Sequence, residues 1–118
     1  MRFKTVRMRT IKFSNKITTK DSEGVPTVTY GAPARFRCEI WPASSELQIK
    51  TYGERVNAMY NVKVRGGYEI NANQSVTFKN GFTLREGDGV YVYDSEKPDY
   101  DVVSIKLYKP LRLEIEKL

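Results

Sequence analysis

Residues 36–56 read FRCEIWPASSELQIKTYGERV, and this stretch sets the fold class. Phe36, Cys38 and Ile40 place apolar side chains at every second residue, the period of a half-buried β-strand. Pro42 has no N–H to give to a strand ladder, so the strand stops at Trp41-Pro42. Ser45 stands three residues before Gln48, the spacing of a capping box, and Gly53 stands where a short helix would end. Strand patterning then resumes. Val56, Ala58, Tyr60, Val62 and Val64 repeat with period two until Gly66-Gly67. An excursion of this kind out of a β framework is a natural place for function, because loops carry contacts on a scaffold that stays fixed.

The rest of the chain continues the β pattern. Residues 3–13 form a long strand candidate whose basic interruptions, Arg7 and Arg9, suggest an edge or a bulge. Residues 14–26, SNKITTKDSEGVP, are rich in turn formers and read as an exposed loop before a short strand at 27–30. In VTFKNGFTL (76–84), Asn80-Gly81 predicts a two-residue type I′ hairpin, since both turn positions take positive φ. Gly87-Asp88-Gly89 marks another turn, followed by strands at 90–93 and 100–108 with Pro98 in the polar loop between them. Leu111, Leu113 and Ile115 alternate with Arg112, Glu114 and Glu116, a last strand with one wet face. About seven to nine short strands with frequent turns predict an all-β fold, a small antiparallel barrel or sandwich. One long loop or short helix near residues 43–55 is the exception. A length of 118 residues fits a single domain. Residues 1–33 supply a basic strand, a loop and a short strand, and 34–118 supply the core.

Composition excludes much chemistry. The chain has no histidine and one cysteine, so Ser–His–Asp triads, Cys–His nucleophiles and Cys/His zinc sites cannot be built. No GxxxxGK[ST] or GxGxxG loop occurs. Asp94, Glu96, Asp99 and Asp101 lack the Asp-x-Asp-x-Asp-Gly run of a calcium loop, and Pro98 interrupts them. An enzyme is therefore not expected, nor a metal or cofactor. Cys38, on the apolar face of its strand, reads as a core residue. Asn73-Gln74-Ser75 matches a glycosylation acceptor by chance. No apolar run approaches the ~18–20 residues of a membrane helix, and the N-terminal residues lack the pattern of a secretion signal. The cytoplasm is the expected compartment.

Net charge is +6, unevenly placed. Residues 1–20 carry Arg2, Lys4, Arg7, Arg9, Lys12, Lys16 and Lys20 with no acid. Residues 86–101 carry Glu86, Asp88, Asp94, Glu96, Asp99 and Asp101 against Lys97. These are either two solvated surfaces or complementary ones that pair copies head to tail and close into a ring. Nucleic acid is a further partner for the basic segment. The tyrosines read as cross-strand packing more readily than as stacking platforms for bases. Trp41 reads equally as an interface anchor or a lid on the core.

CEIWPASSELQIKTYGERV (38–56), followed by GDGVYVYDSEKPDYDVVSIKLYKPLRLEIEK (87–117), resembles the small head–tail joining proteins of tailed bacteriophages and prophages. These are also called head completion or stopper proteins and are often labelled minor capsid proteins. The resemblance covers residues 34–117; the N-terminal part departs from it. It implies a barrel or sandwich that docks as a ring, commonly of about twelve subunits, beneath a portal and adaptor. Such a ring closes the capsid neck, retains packaged DNA and docks the tail. Double-stranded DNA would pass through it without sequence-specific binding. The expected location is the virion neck, after assembly in the host cytoplasm. The resemblance also implies a channel-facing loop at 43–57, here with Glu46, Gln48, Lys50, Tyr52, Gly53, Glu54 and Arg55. Subunit or adaptor contacts would fall to Arg2, Lys4, Arg7, Arg9, Trp41, Asp94, Glu96, Asp99 and Asp101. A tail-terminator ring subunit belongs to the same class. The other reading is a small nucleic-acid-binding barrel of the OB or SH3-like kind.

Overall fold

A computed structural model describes residues 8–73, 75–93 and 96–118. Arg2, Lys4, Arg7 and Asp94 lie outside the described residues, as does the first part of the strand expected from residue 3. Six antiparallel strands close into a barrel: β1 (Met8–Ser14), β4 (Ala34–Pro42), β5 (Met59–Val64), β11 (Leu111–Lys117), β10 (Tyr100–Lys106) and β9 (Gly89–Tyr91), in that spatial order, with β9 returning to β1. The choice between barrel and sandwich is thus settled as a closed barrel. Closure removes the sheet edges of these strands, which a small open sheet would leave exposed.

Period-two alternation aims one set of side chains inward. Ile11, Phe13, Cys38, Val62, Val64, Val90, Val102, Leu111, Leu113 and Ile115 form the buried interior. One end is capped by a three-stranded sheet of β6 (Tyr68–Ile70), β7 (Val76–Phe78) and β8 (Thr83–Leu84). Phe78 and Phe82 from this cap pack on Phe36 with ring centroids 4.7 and 5.8 Å apart. Tyrosines gather at Tyr60, Tyr93 and Tyr100, whose centroids lie 5.7 and 6.3 Å apart across Tyr100. These rings therefore serve packing in the strands and their margins.

Three expectations are corrected. Residues 14–26 are not a loop: β2 (Lys16–Lys20) pairs in register with β3 (Pro26–Tyr30). The strand expected from Val56 begins only at Met59, because 53–58 coil into a 3-10 turn that continues the helix α1 (Glu46–Tyr52). Asn80-Gly81 does turn the chain, but in a three-residue loop. The Gly81 N–H donates to the Phe78 carbonyl at 2.9 Å and the Phe78 N–H donates to the Phe82 carbonyl at 2.9 Å, with Gly81 at φ +89°. That is a tight turn followed by a left-handed glycine, the next commonest hairpin after the two-residue form.

Candidate interaction surfaces

The β2–β3 hairpin is the most exposed part of the described chain. Every residue from Lys16 to Thr29 is exposed, and among the described residues its two strands pair only with each other. Its tip repeats the three-residue turn. The Asp21 N–H donates to the Val25 carbonyl and the Gly24 N–H to the Asp21 carbonyl, both at 3.0 Å, while the Asp21 carboxylate accepts from the Glu23 and Val25 N–H groups at 2.9 Å. Seven residues at ~3.4 Å each give the arm a reach of roughly 24 Å, in keeping with a molecule of 62 × 35 × 30 Å. Asp21 to Gly24, flanked by Ile17, Thr18, Thr19, Val25 and Thr27, was the available sequence signal. The density of polar residues hid it.

An isolated two-stranded hairpin is marginal in water, so the root of this arm carries the load. Asp88 is 1% exposed. Its carboxylate accepts from the Lys16 N–H at 3.0 Å, the Arg85 N–H at 2.8 Å and the Asn15 side-chain amide at 2.9 Å. The Arg85 guanidinium lies 3.4 Å from the same carboxylate and donates to the Lys16 carbonyl at 3.0 Å. Asn15 also donates to the Thr83 carbonyl at 2.7 Å, and its own carbonyl accepts from the Gly31 N–H at 2.9 Å. One buried carboxylate thus ties both the β8–β9 turn and the first residues of the arm. At the other strand of the root, Tyr30 sits so close to Gly89 that a Cβ there would fall 2.8 Å from its ring.

The 43–57 segment is a docked helix. Ser45 and Gln48 form the expected capping box, and the Gln48 side chain is buried. Gln48 donates to Glu114 at 2.8 Å and to the Asn61 carbonyl oxygen, and the Tyr52 hydroxyl donates to Glu114 at 2.7 Å. Burial first, and then this hydrogen bond, push the Tyr52 hydroxyl up to about 12. Arg55 donates to Glu116 at 3.1 and 2.7 Å, which holds the Glu116 carboxyl below its ordinary range. The wet face expected of β11 is therefore covered by α1 at Glu114. Gly53 ends the helix at φ +61°, a conformation that favours glycine. Glu46 and Lys50 pair at 3.8 Å on the solvent side, and Glu54 is exposed. Leu47 and Ile49 are also exposed.

Trp41 lies neither in the core nor over its end. Its register partner is Asn61, on the outward face, and the Arg112 guanidinium rests 5.5 Å from its ring centre. The described acids of the stretch 86–101 differ in their surroundings. Asp88 is consumed at the arm root, and Asp99 accepts from the Val92 and Tyr93 N–H groups at 2.8 and 3.0 Å. Asp101 is half-buried, its pKa raised by burial and then by Glu116. Glu96 alone of the described acids named for contacts is exposed.

Cations collect instead on the outer wall of the barrel, a pattern the linear sequence hides. Register places Lys12 opposite Arg35, Thr10 opposite Arg37, Glu39 opposite Lys63, and Lys63 opposite Arg112. Arg65 donates its N–H to the Arg37 carbonyl at 3.2 Å, which sets these two arginines side by side. Glu39 is the one acid among these positions, shared by Lys63 and Arg65 at 3.5 Å each. Where β1 meets β9, Arg9, Lys12, Arg35, Tyr91 and Tyr93 line a groove of about 360 Å³. Arg9 lies over the Tyr93 ring and Lys12 over the Tyr91 ring, each 5.4 Å from the centroid. Arg9 also donates to the Val92 carbonyl at 2.7 Å.

Among the described residues no group of three or more Cys, Asp or Glu side chains is placed to hold a metal ion, and no helix is long and apolar enough to cross a membrane. Cys38 is buried, and burial pushes its thiol up to about 12, which removes the thiolate that reactivity needs. What the geometry defines is a closed β-barrel bearing a rigidly rooted arm, a docked helix and a cationic wall. Comparison of the chain with known protein families, with curated proteins and with solved structures finds no match.

Proposed function

We propose that this chain is a structural subunit of a phage or prophage head–tail connector ring, closing the capsid neck, retaining the packaged genome and docking the tail. The observation that carries this reading is the β2–β3 arm. It contributes nothing to the core, yet a buried carboxylate fixes its root, and among the described residues neither outer strand edge has a partner strand. Free strand edges invite pairing with another chain. A rigid lever with open edges suits a protein that functions by gripping its neighbours. In this reading the arm, rather than the docked 43–57 segment, reaches to adjacent subunits, and the ring, commonly of about twelve copies, forms around the DNA path. Portal, adaptor and tail proteins are the partners above and below it.

The test uses the isolated chain and a preformed portal–adaptor complex from the same phage or prophage. The expected result is a chain that stays monomeric or weakly associated alone and forms an ordered ring, visible by electron microscopy, on that complex. Particles lacking it should package DNA and then leak it. Normal retention of DNA by such particles would overturn the reading.

A further inference from the structure

We infer that the outer wall formed by β1, β4 and β5 with Arg112 of β11 binds the phosphate backbone of nucleic acid, without regard to base sequence. The inference does not depend on a ring, because the surface is complete within one subunit. Six cations, Lys12, Arg35, Arg37, Lys63, Arg65 and Arg112, share this wall with one acid among the described residues, Glu39. Lys12 and Arg35 are directly cross-strand, as are Lys63 and Arg112. Like charges crowded on one sheet face destabilise it; Glu39 offsets this for Lys63 and Arg65, but not for Arg35 and Arg37, two residues apart on the same face of β4. A polyanion lying across the wall relieves the repulsion.

The spacing points to a phosphate chain rather than to scattered carboxylates. Same-face residues on a strand repeat about every 6.6–6.8 Å and neighbouring strands lie about 4.8 Å apart. A two-dimensional grid of charges at that repeat approximates the separation of successive phosphates along a nucleic-acid strand. Arginine presents a planar fork of donors to phosphate oxygens, and Arg35 and Arg37 have no ion-pair partner among the described residues. Contacts of this purely electrostatic kind also let a duplex slide.

The test is fluorescence anisotropy with a labelled random-sequence DNA duplex at about 50 and 200 mM salt. Binding should be measurable at the lower salt, fall steeply at the higher one, and be equal for a second, unrelated sequence. The Arg35→Gln/Arg37→Gln variant should bind about tenfold more weakly and flatten the salt slope by about 2. Its melting temperature should equal or exceed that of the parent chain, since a repulsion has been removed. A separate Arg2→Gln/Lys4→Gln/Arg7→Gln variant should retain most of the binding. Duplex binding that is absent at low salt, or unchanged by the Arg35/Arg37 substitutions, would overturn the assignment. So would binding to polyglutamate but not DNA, which would assign the wall to an acidic protein.

Discussion

Asp88 shows how far a side chain's role depends on where its neighbours fold. In sequence it is the middle of a Gly-Asp-Gly turn within an acidic stretch; in the structure it is a buried acceptor for donors that lie about seventy residues upstream as well as beside it. Asp88→Asn keeps the shape but turns an amide N–H toward backbone N–H donors. The expected cost is about 2–3 kcal/mol of stability, read by urea denaturation, together with faster tryptic cleavage at Lys16 and Lys20 as the root loosens. Cys38 makes a second residue-scale case. Its folded pKa is raised by burial from 9.0 to about 12, so the folded state keeps a proton that the unfolded chain releases. The stability it supports is full below about pH 9 and is lost as pH rises toward 12. Tyr52 and Tyr100, both raised from 10.0 to about 12 by burial first, add the same trend from pH 10 upward. Cys38→Val should therefore delay the onset of alkaline destabilisation from near pH 9 to near pH 10, measured as urea midpoints across that range.

At the scale of elements, local signals were readable and long-range ones were not. The capping box at Ser45 and Gln48 and the stop at Gly53 depend on residues within one turn of each other, so the helix was legible. A seven-residue helix is far below the length that is stable alone, and its true support is Glu114, sixty-six residues beyond Gln48. Removing that support tests the point. Glu114→Ala leaves one N–H of the Gln48 amide and the Tyr52 hydroxyl without their acceptor, and should cost about 2–3 kcal/mol and lower the helical ellipticity. Unchanged stability would mean that the helix is held by its apolar contacts instead. The arm failed in the opposite way. Its threonines are β-prone, but nearly every residue faces water, and hydrophobic alternation reports only strands that have one buried face.

For the whole molecule, barrel and arm are separable in energy and joined in geometry. No core residue lies between Lys16 and Thr29, so replacing residues 17–29 by a short glycine linker should change barrel stability by no more than about 1 kcal/mol. The same variant should fail to join a ring on the portal–adaptor complex, which sedimentation would detect. A large loss of stability would mean that the arm is a folding element. The charge distribution also changes meaning at this scale. Among the described residues, Asp88 and Asp99 of the acidic stretch direct their carboxylates to backbone N–H donors within the subunit. Cations from four separate strands converge on one wall.

Hydrophobic period and turn formers were enough, without coordinates, to establish an all-β chain with a short helix after Pro42. Each of those properties is local or compositional, so a linear reading captures it. Closure of the barrel, burial of Asp88 and Glu114, and the meeting of Lys12 with Arg35 and Lys63 with Arg112 are matters of register between distant strands. A shift of one residue in any of those pairings would send the same side chains to the opposite face, and only the folded chain fixes it.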